Sequence, residues 1–177
     1  ALRIGDVPTV TISFSEAVTG LSTADFAVDN GSLGALSSAD GGLTWTGLLF
    51  PLMGVADATN VIVLNNAGVA EAAGNPGAGS TTSPNYVIET ARPTAVITMT
   101  DTELRPGETS LVTFTFSEAV TGFTNADLTV ASGTMGAVAS ADGGITWSAA
   151  FTPAANTSAA SNVIRLANTG VADMTGN

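Results

Sequence analysis

The chain has 177 residues and a net charge of −11, with fifteen Asp and Glu set against Arg3, Arg92, Arg105 and Arg165 and with no Lys, His or Cys. That composition excludes disulfides, thiolate nucleophiles and zinc–thiolate sites, and it removes the commonest general base and metal ligand. The field of such a chain repels nucleic acid and anionic membrane surfaces and attracts cations.

The first stretch to recur is Phe14-Ser-Glu-Ala-Val-Thr-Gly20, which returns letter for letter at Phe116–Gly122, a shift of 102 residues. Ser38-Ala-Asp-Gly-Gly42, Trp45, Asn60-Val-Ile62 and Gly74-Asn75 return at the same shift. Residues 1–75 align on 103–177 without a gap, and about half the positions are identical, so the chain is a tandem array of one unit. Repeat 1 is assigned to residues 1–92 and repeat 2 to residues 93–177. Repeat 1 is expected to lack its first strand and repeat 2 its last, as in a piece of a longer protein.

The second unit carries the opening strand, and its elements map back onto the first. Thr94–Thr100 is β-branched and follows Pro93, which predicts an edge strand. Pro106-Gly107 predicts a turn. Ser110–Phe116 alternates, with Val112, Phe114 and Phe116 on one face, which predicts a half-buried strand. Short strands at Asp127–Val130 and Thr134–Ala139 flank Ser132-Gly133, a tight-turn signal. After the turn Ser140–Gly144, the stretch Ile145–Thr152 puts Ile145, Trp147, Ala149 and Phe151 on one face. Pro153–Ser161 reads as a loop and Asn162–Leu166 as a strand with Ile164 and Leu166 inward. The seventh strand is present only in the first copy, at Asn85–Glu89. Thr90-Ala-Arg-Pro93 then joins the units and is too short to act as a flexible spacer.

Seven short strands per unit, regular turn signals and no helical period predict an all-β fold of tandem immunoglobulin-like β-sandwich domains. The longest apolar patch, Gly47–Ala56, is broken by Pro51 and falls short of the ~20 residues that a membrane helix needs. No signal peptide is visible, and no membrane insertion is expected of this segment.

The run Val112–Gly122, then Asn125-Ala-Asp127, Ala141–Trp147, and Gly170-Val-Ala-Asp173 with Gly176-Asn177, resembles the bacterial Ig-like repeats of giant extracellular surface adhesins of the biofilm and RTX type. The resemblance covers essentially the whole chain. It implies a secreted, non-catalytic extender on the bacterial cell surface, serving adhesion or biofilm formation, with neighbouring repeats of the same chain as partners. It also implies calcium at domain junctions.

Strand directions sort the acids onto two ends of each unit. Glu118, Asp142 and Asp173 are expected at the end where Glu89 arrives from the preceding repeat, and Asp57 is expected to add to that junction. The equivalents in the first copy are Glu16, Asp40 and Glu71. Carboxylates with Asn and backbone carbonyls form the oxygen set that calcium prefers. Ser-x-Asp-Gly-Gly is equally a sequence that a β-turn selects without any ion. Asp25 and Asp127 read as capping residues. Trp45, Trp147, Phe14, Phe114, Phe116, Phe123 and Phe151 read as packing, and Tyr86 as a core-edge residue whose hydroxyl seeks a backbone partner.

Serine and threonine are plentiful, but no His or Lys is present to activate them. Carboxylate-pair hydrolysis is the one catalytic route left, and acids recurring at turns in both copies argue against it. The first functional expectation is a stiff spacer in a surface adhesin. The alternative is a protomer of an extracellular filament or sheath, in which copies exchange edge strands. A carbohydrate-binding module would need exposed aromatics that the pattern does not supply.

Overall fold

The structure is a computed structural model that describes residues 1–71 and 73–177. The described residues are strand, turn and loop, with four short 3-10 turns and no α-helix. The chain divides into unit 1, Ala1–Ala91, and unit 2, Arg92–Asn177.

Unit 1 contains β1 (Thr9–Ser13), β2 (Val18–Thr19), β3 (Phe26–Val28), β4 (Gly31–Leu33), β5 (Thr44–Pro51), β6 (Ala56–Asn60), β7 (Ile62–Asn65), β8 (Ala70–Glu71), β9 (Ser80–Thr82) and β10 (Tyr86–Glu89). Unit 2 contains β11 (Ala95–Met99), β12 (Ser110–Phe116), β13 (Val120–Thr121), β14 (Leu128–Val130), β15 (Gly133–Met135), β16 (Ala139–Ser140), β17 (Thr146–Pro153), β18 (Ile164–Leu166) and β19 (Ala172–Asp173). All named strand pairs are antiparallel.

Unit 2 shows why the alternating stretch folds as it does. β12 lies between β11 and β17, and its inward residues Val112 and Phe114 are fully buried. Phe123 meets Phe114, Phe116 and Trp147 edge-on at centroid distances of 5.1, 5.4 and 5.4 Å. Edge-to-face rings of this kind add to the burial energy of each side chain. Ala95, Ile97 and Met99 of β11 close the same core.

In unit 1 the equivalent of β12 is β1, which among the described residues pairs only with β5. Without a β11-like neighbour, Ile12 and Phe14 remain half-exposed, whereas their counterparts Phe114 and Phe116 are buried. The core of unit 1 accordingly centres on Val18, Leu21, Leu64 and Val69.

Three sequence expectations change in detail. The strand expected at Thr134–Ala139 is instead β15 and β16, with residues 136–138 between them outside any strand. Ile145 does not join the inward face of Trp147, because β17 starts at Thr146 and Ile145 is exposed. The stretch equivalent to the loop Pro153–Ser161 is in part a strand in unit 1, where β6 is paired by β10.

Candidate functional site

The two recurring motifs meet in each unit. In unit 1, Phe14 N–H donates to the Leu43 carbonyl (2.9 Å) and Val18 N–H to the Gly42 carbonyl (3.1 Å). The turn that presents Gly42 is organised by Ser38 and Asp40. Ser38 Oγ accepts Gly42 N–H (2.9 Å) and donates to Asp40 Oδ1 (2.9 Å), which also accepts Thr44 N–H (2.9 Å). Gly42 has φ of +104°, and a Cβ on it would lie 2.3 Å from the Val18 carbonyl oxygen, so only glycine fits. Trp45 Nε1 then donates to the Gly42 carbonyl at 3.2 Å.

Unit 2 repeats the arrangement. Ser140 Oγ accepts Gly144 N–H (2.9 Å), Asp142 Oδ1 accepts from Ser140 Oγ and Thr146 N–H (2.9 Å each), and Trp147 Nε1 donates to the Gly144 carbonyl (3.0 Å). The third loop joins through the ladders β2–β8 and β13–β19, which set Val18 opposite Glu71 and Val120 opposite Asp173. The loops bearing Glu16, Asp40 and Glu71 thus meet at one end of unit 1, and those bearing Glu118, Asp142 and Asp173 at one end of unit 2.

The acids in these loops are in three different electrostatic states. Backbone N–H groups of Thr44 and Thr146 hold Asp40 and Asp142 down to about 2. Burial pushes Asp173 up, but hydrogen bonds from the backbone and side chain of Asn177 and from Thr175 outweigh it and bring Asp173 down to about 2. Its Oδ1 accepts the N–H groups of Thr175 (2.8 Å), Gly176 (2.6 Å) and Asn177 (2.9 Å). Glu16 is the opposite case: a hydrogen bond to the Glu71 carboxyl, with repulsion from its charge, raises Glu16 above the ordinary glutamate value. Asn75 Nδ2 donates to Glu71 Oε1 on the same rim. An open groove of about 490 Å³ lies beside this pair, lined in part by Ile12, Phe14, Asn66 and Thr81.

The family described as bacterial Ig-like domain matches twice, over residues 1–88 and 89–177. The chain belongs to the bacterial Ig-like domain family. A search of curated proteins finds no match. Domains of this family are generally structural and non-catalytic, and they are typically extracellular or surface-exposed. Among the described residues no helix is long and apolar enough to cross a membrane.

Placed on these Ig-like units, the remaining acids of the sequence reading separate. Asp57 Oδ1 accepts Thr59 N–H (2.8 Å), which with the Thr59 hydroxyl lowers its pKa, and Asp57 Oδ2 accepts from Asn30 Nδ2 (2.9 Å). Glu89 Oε1 accepts Ala91 N–H (3.2 Å) at the end of β10. Asp25 and Asp127 cap 3-10 turns, accepting the N–H groups of Ser22 and Thr124 (2.8 Å each). Calcium ligation needs several carboxylate oxygens turned toward one point. Oδ1 of each of Asp40, Asp142 and Asp173 accepts backbone N–H groups of its own turn, and among the described residues no three Asp or Glu converge as a metal-holding group.

Asn60 and Thr90 are structural residues that the sequence reading passed over. Asn60 is fully buried, accepts from Asn30 Nδ2 (2.7 Å) and donates to the carbonyls of Asp57 (3.0 Å) and Tyr86 (3.1 Å). Its recurrence as Asn162 was the available signal. Thr90, 2% exposed, donates its hydroxyl to the Leu52 carbonyl (2.6 Å) and accepts Val55 N–H (3.1 Å). Tyr86 behaves as expected, its hydroxyl reaching the Asp29 carbonyl at 2.6 Å.

Proposed function

We infer that the chain is a non-catalytic structural segment of a large secreted bacterial surface adhesin, a stiff extender that serves cell adhesion or biofilm formation. The observation that carries this reading is the shortness of the free linker. Thr90 is tied into unit 1 through its hydroxyl, its N–H to Val55 (2.7 Å) and its carbonyl to Gly54 (3.1 Å). Thr94 is tied into unit 2 by its N–H to Ser117 Oγ (3.0 Å) and its carbonyl to Ser117 N–H (2.9 Å). Only Ala91, Arg92 and Pro93 lie between these anchors. Three residues, one of them a proline with φ fixed, leave little slack. The repeated polar side chains also support the reading, because their oxygens are used in holding turns and leave no activated nucleophile. The lysine-free, acidic surface favours solubility of a long array.

Small-angle scattering tests the stiffness. The chain is expected to show a narrow distribution of maximum dimension, and a Gly-Ser insertion between Ala91 and Arg92 is expected to broaden it. Equal distributions for both chains would sink the spacer reading. The adhesive role is tested in the producing cell, where deletion of the repeats should weaken attachment without loss of surface export. Calcium belongs to this reading as a proposal supported by the acid excess, fifteen Asp and Glu against four Arg; a melting transition unchanged by chelator would end it. A second reading, assembly into a filament by edge-strand exchange, is favoured by the open edge of β1. It predicts regular polymers of the purified chain.

A further inference from the structure

We propose that unit 1 pairs edge to edge with unit 1 of a second copy of the chain, β4 against β4 about a two-fold axis. β4 and β15 hold the same place in the two units, each at the far side of its sheet from β1 or from β11. Unit 2 closes this edge with a side chain. Asn125 Nδ2 donates to the Met135 and Gly136 carbonyls (3.2 and 2.8 Å), and Asn125 Oδ1 accepts Val138 N–H (2.9 Å). A strand arriving beside β15 would find those groups taken. In unit 1 the position of Asn125 is held by Thr23, whose single hydroxyl cannot supply the paired donor and acceptor of an amide. Among the described residues no side chain bonds the carbonyls of Leu33 and Gly34 or the N–H of Leu36, their counterparts. Gly34 N–H is given to the Leu48 carbonyl (2.8 Å), so Leu33, one residue earlier, turns its own N–H and carbonyl away from β5 to the open side.

The surface beside this edge differs between the units in the same sense. Leu48, Phe50, Leu52 and Met53 are all exposed in unit 1, whereas unit 2 has Ala150, Thr152, Ala154 and Ala155 at these positions. Phe50 stands opposite Ser32, and its ring leans over Gly34, with Cε2 3.0 Å from where a Cβ on Gly34 would lie. An aromatic ring 44% exposed beside unpaired strand groups is a surface that strand addition covers. Charge selects the occupant. A second copy carries the same −11 and is repelled by most of this chain, but residues 31–38 contain no charged residue and no proline. Antiparallel pairing about a two-fold at Leu33 sets only residues 31–35 of each copy against one another, so no two carboxylates meet. A basic partner, which the acid excess attracts elsewhere, finds no acid on this segment. No strand leaves its own unit, so the pair is closed and differs from assembly by strand exchange.

Sedimentation velocity of the intact chain over a concentration series tests this. A reversible dimer is expected, and it should tighten as salt is raised, because screening weakens the repulsion between two acidic copies. Thr23→Asn installs the clamp of unit 2 in front of the same Ala-Asp pair that follows Asn125, and it should raise the dissociation constant by about tenfold or more. Phe50→Thr, which places the residue of unit 2 beside the edge, should weaken the dimer in the same direction. Both residues are exposed, so unit 1 is expected to keep its fold and its melting transition in either variant. Hydrogen exchange locates the contact: the Leu33 amide should slow by about tenfold with rising concentration in the wild-type chain and not in Thr23→Asn. A chain that stays monomeric at every concentration and salt overturns the proposal, as does a dimer that both substitutions leave unchanged. Regular polymers unaffected by Thr23→Asn would move assembly to the edge of β1 and overturn it equally. A monomer whose Leu33 amide gains protection only when oligolysine is added would overturn the second copy in favour of a basic partner.

Discussion

Asn60 and Asn162 occupy the same place in the repeat, and the structure predicts that replacing them has very different consequences. Asn60→Ala removes three side-chain hydrogen bonds at a fully buried site. At about 1 kcal/mol each, and more where the Tyr86 carbonyl is left without a donor, the loss comes to about 3 kcal/mol. Asn162→Ala removes one bond at an exposed site that water can replace, so its cost should stay within about 0.5 kcal/mol. Hydrogen exchange of the intact chain distinguishes the units by peptide. The most protected amides of unit 1 should exchange roughly a hundredfold faster in Asn60→Ala, since about 1.4 kcal/mol is a factor of ten. Unit 2 should be unaffected by that change and nearly unaffected by Asn162→Ala. Equal effects of the two substitutions would refute the claim that the β10 strand decides the energetics of this position.

Gly42→Ala should destabilise unit 1 by more than about 1 kcal/mol, because φ is positive and the new Cβ would press on the Val18 carbonyl; Gly41→Ala, with positive φ but open space, should cost less in the same melting experiment. The acid limb of stability should follow the lowered aspartates. Their ionised forms favour the fold above the unfolded value of about 3.9, and that contribution is lost as pH falls toward about 2. Asp142→Asn should flatten this limb in unit 2, as followed by Trp fluorescence against pH. Glu16 has the opposite sign. Its raised pKa makes the protonated form the favourable one, so its contribution is present below the model-peptide value and lost as pH rises through the folded one. Glu16→Gln should therefore raise the melting temperature of unit 1 at neutral pH and leave it little changed in acid.

The strands with clean alternation were legible because one face is buried, and period two is then enforced along the whole stretch; Ser110–Phe116 coincides with β12 for that reason. The short ladders β2–β8 and β13–β19 were not legible, since two residues carry no period. Nor was β6, in which small polar residues become a strand only because β10 lies alongside. In the candidate site, repetition marked the loops that meet at one end of each unit but could not say what their acids do. An Asp that binds an ion and an Asp that binds its own turn have the same letters around them. What separates them is where the lone pairs point, and Asp40 and Asp142 point at the N–H groups of Thr44 and Thr146.

That distinction changes what the recurrence of Phe-Ser-Glu-Ala-Val-Thr-Gly means. Its Val and the Gly-Gly turn are joined by a backbone bond and by a contact that excludes any side chain, so these letters recur because the packing of each unit demands them. Glu16, exposed in unit 1, is under no such demand. The neighbouring Glu71 carboxyl raises the pKa of Glu16 at the open rim of unit 1, at a position where unit 2 has Asp173 folded onto its own turn. Asp173 takes three backbone N–H groups of its own turn as well as the Asn177 side chain, whereas Glu71 takes the Asn75 side chain. Glu16, exposed at that rim, is the member of the first copy whose role packing does not explain.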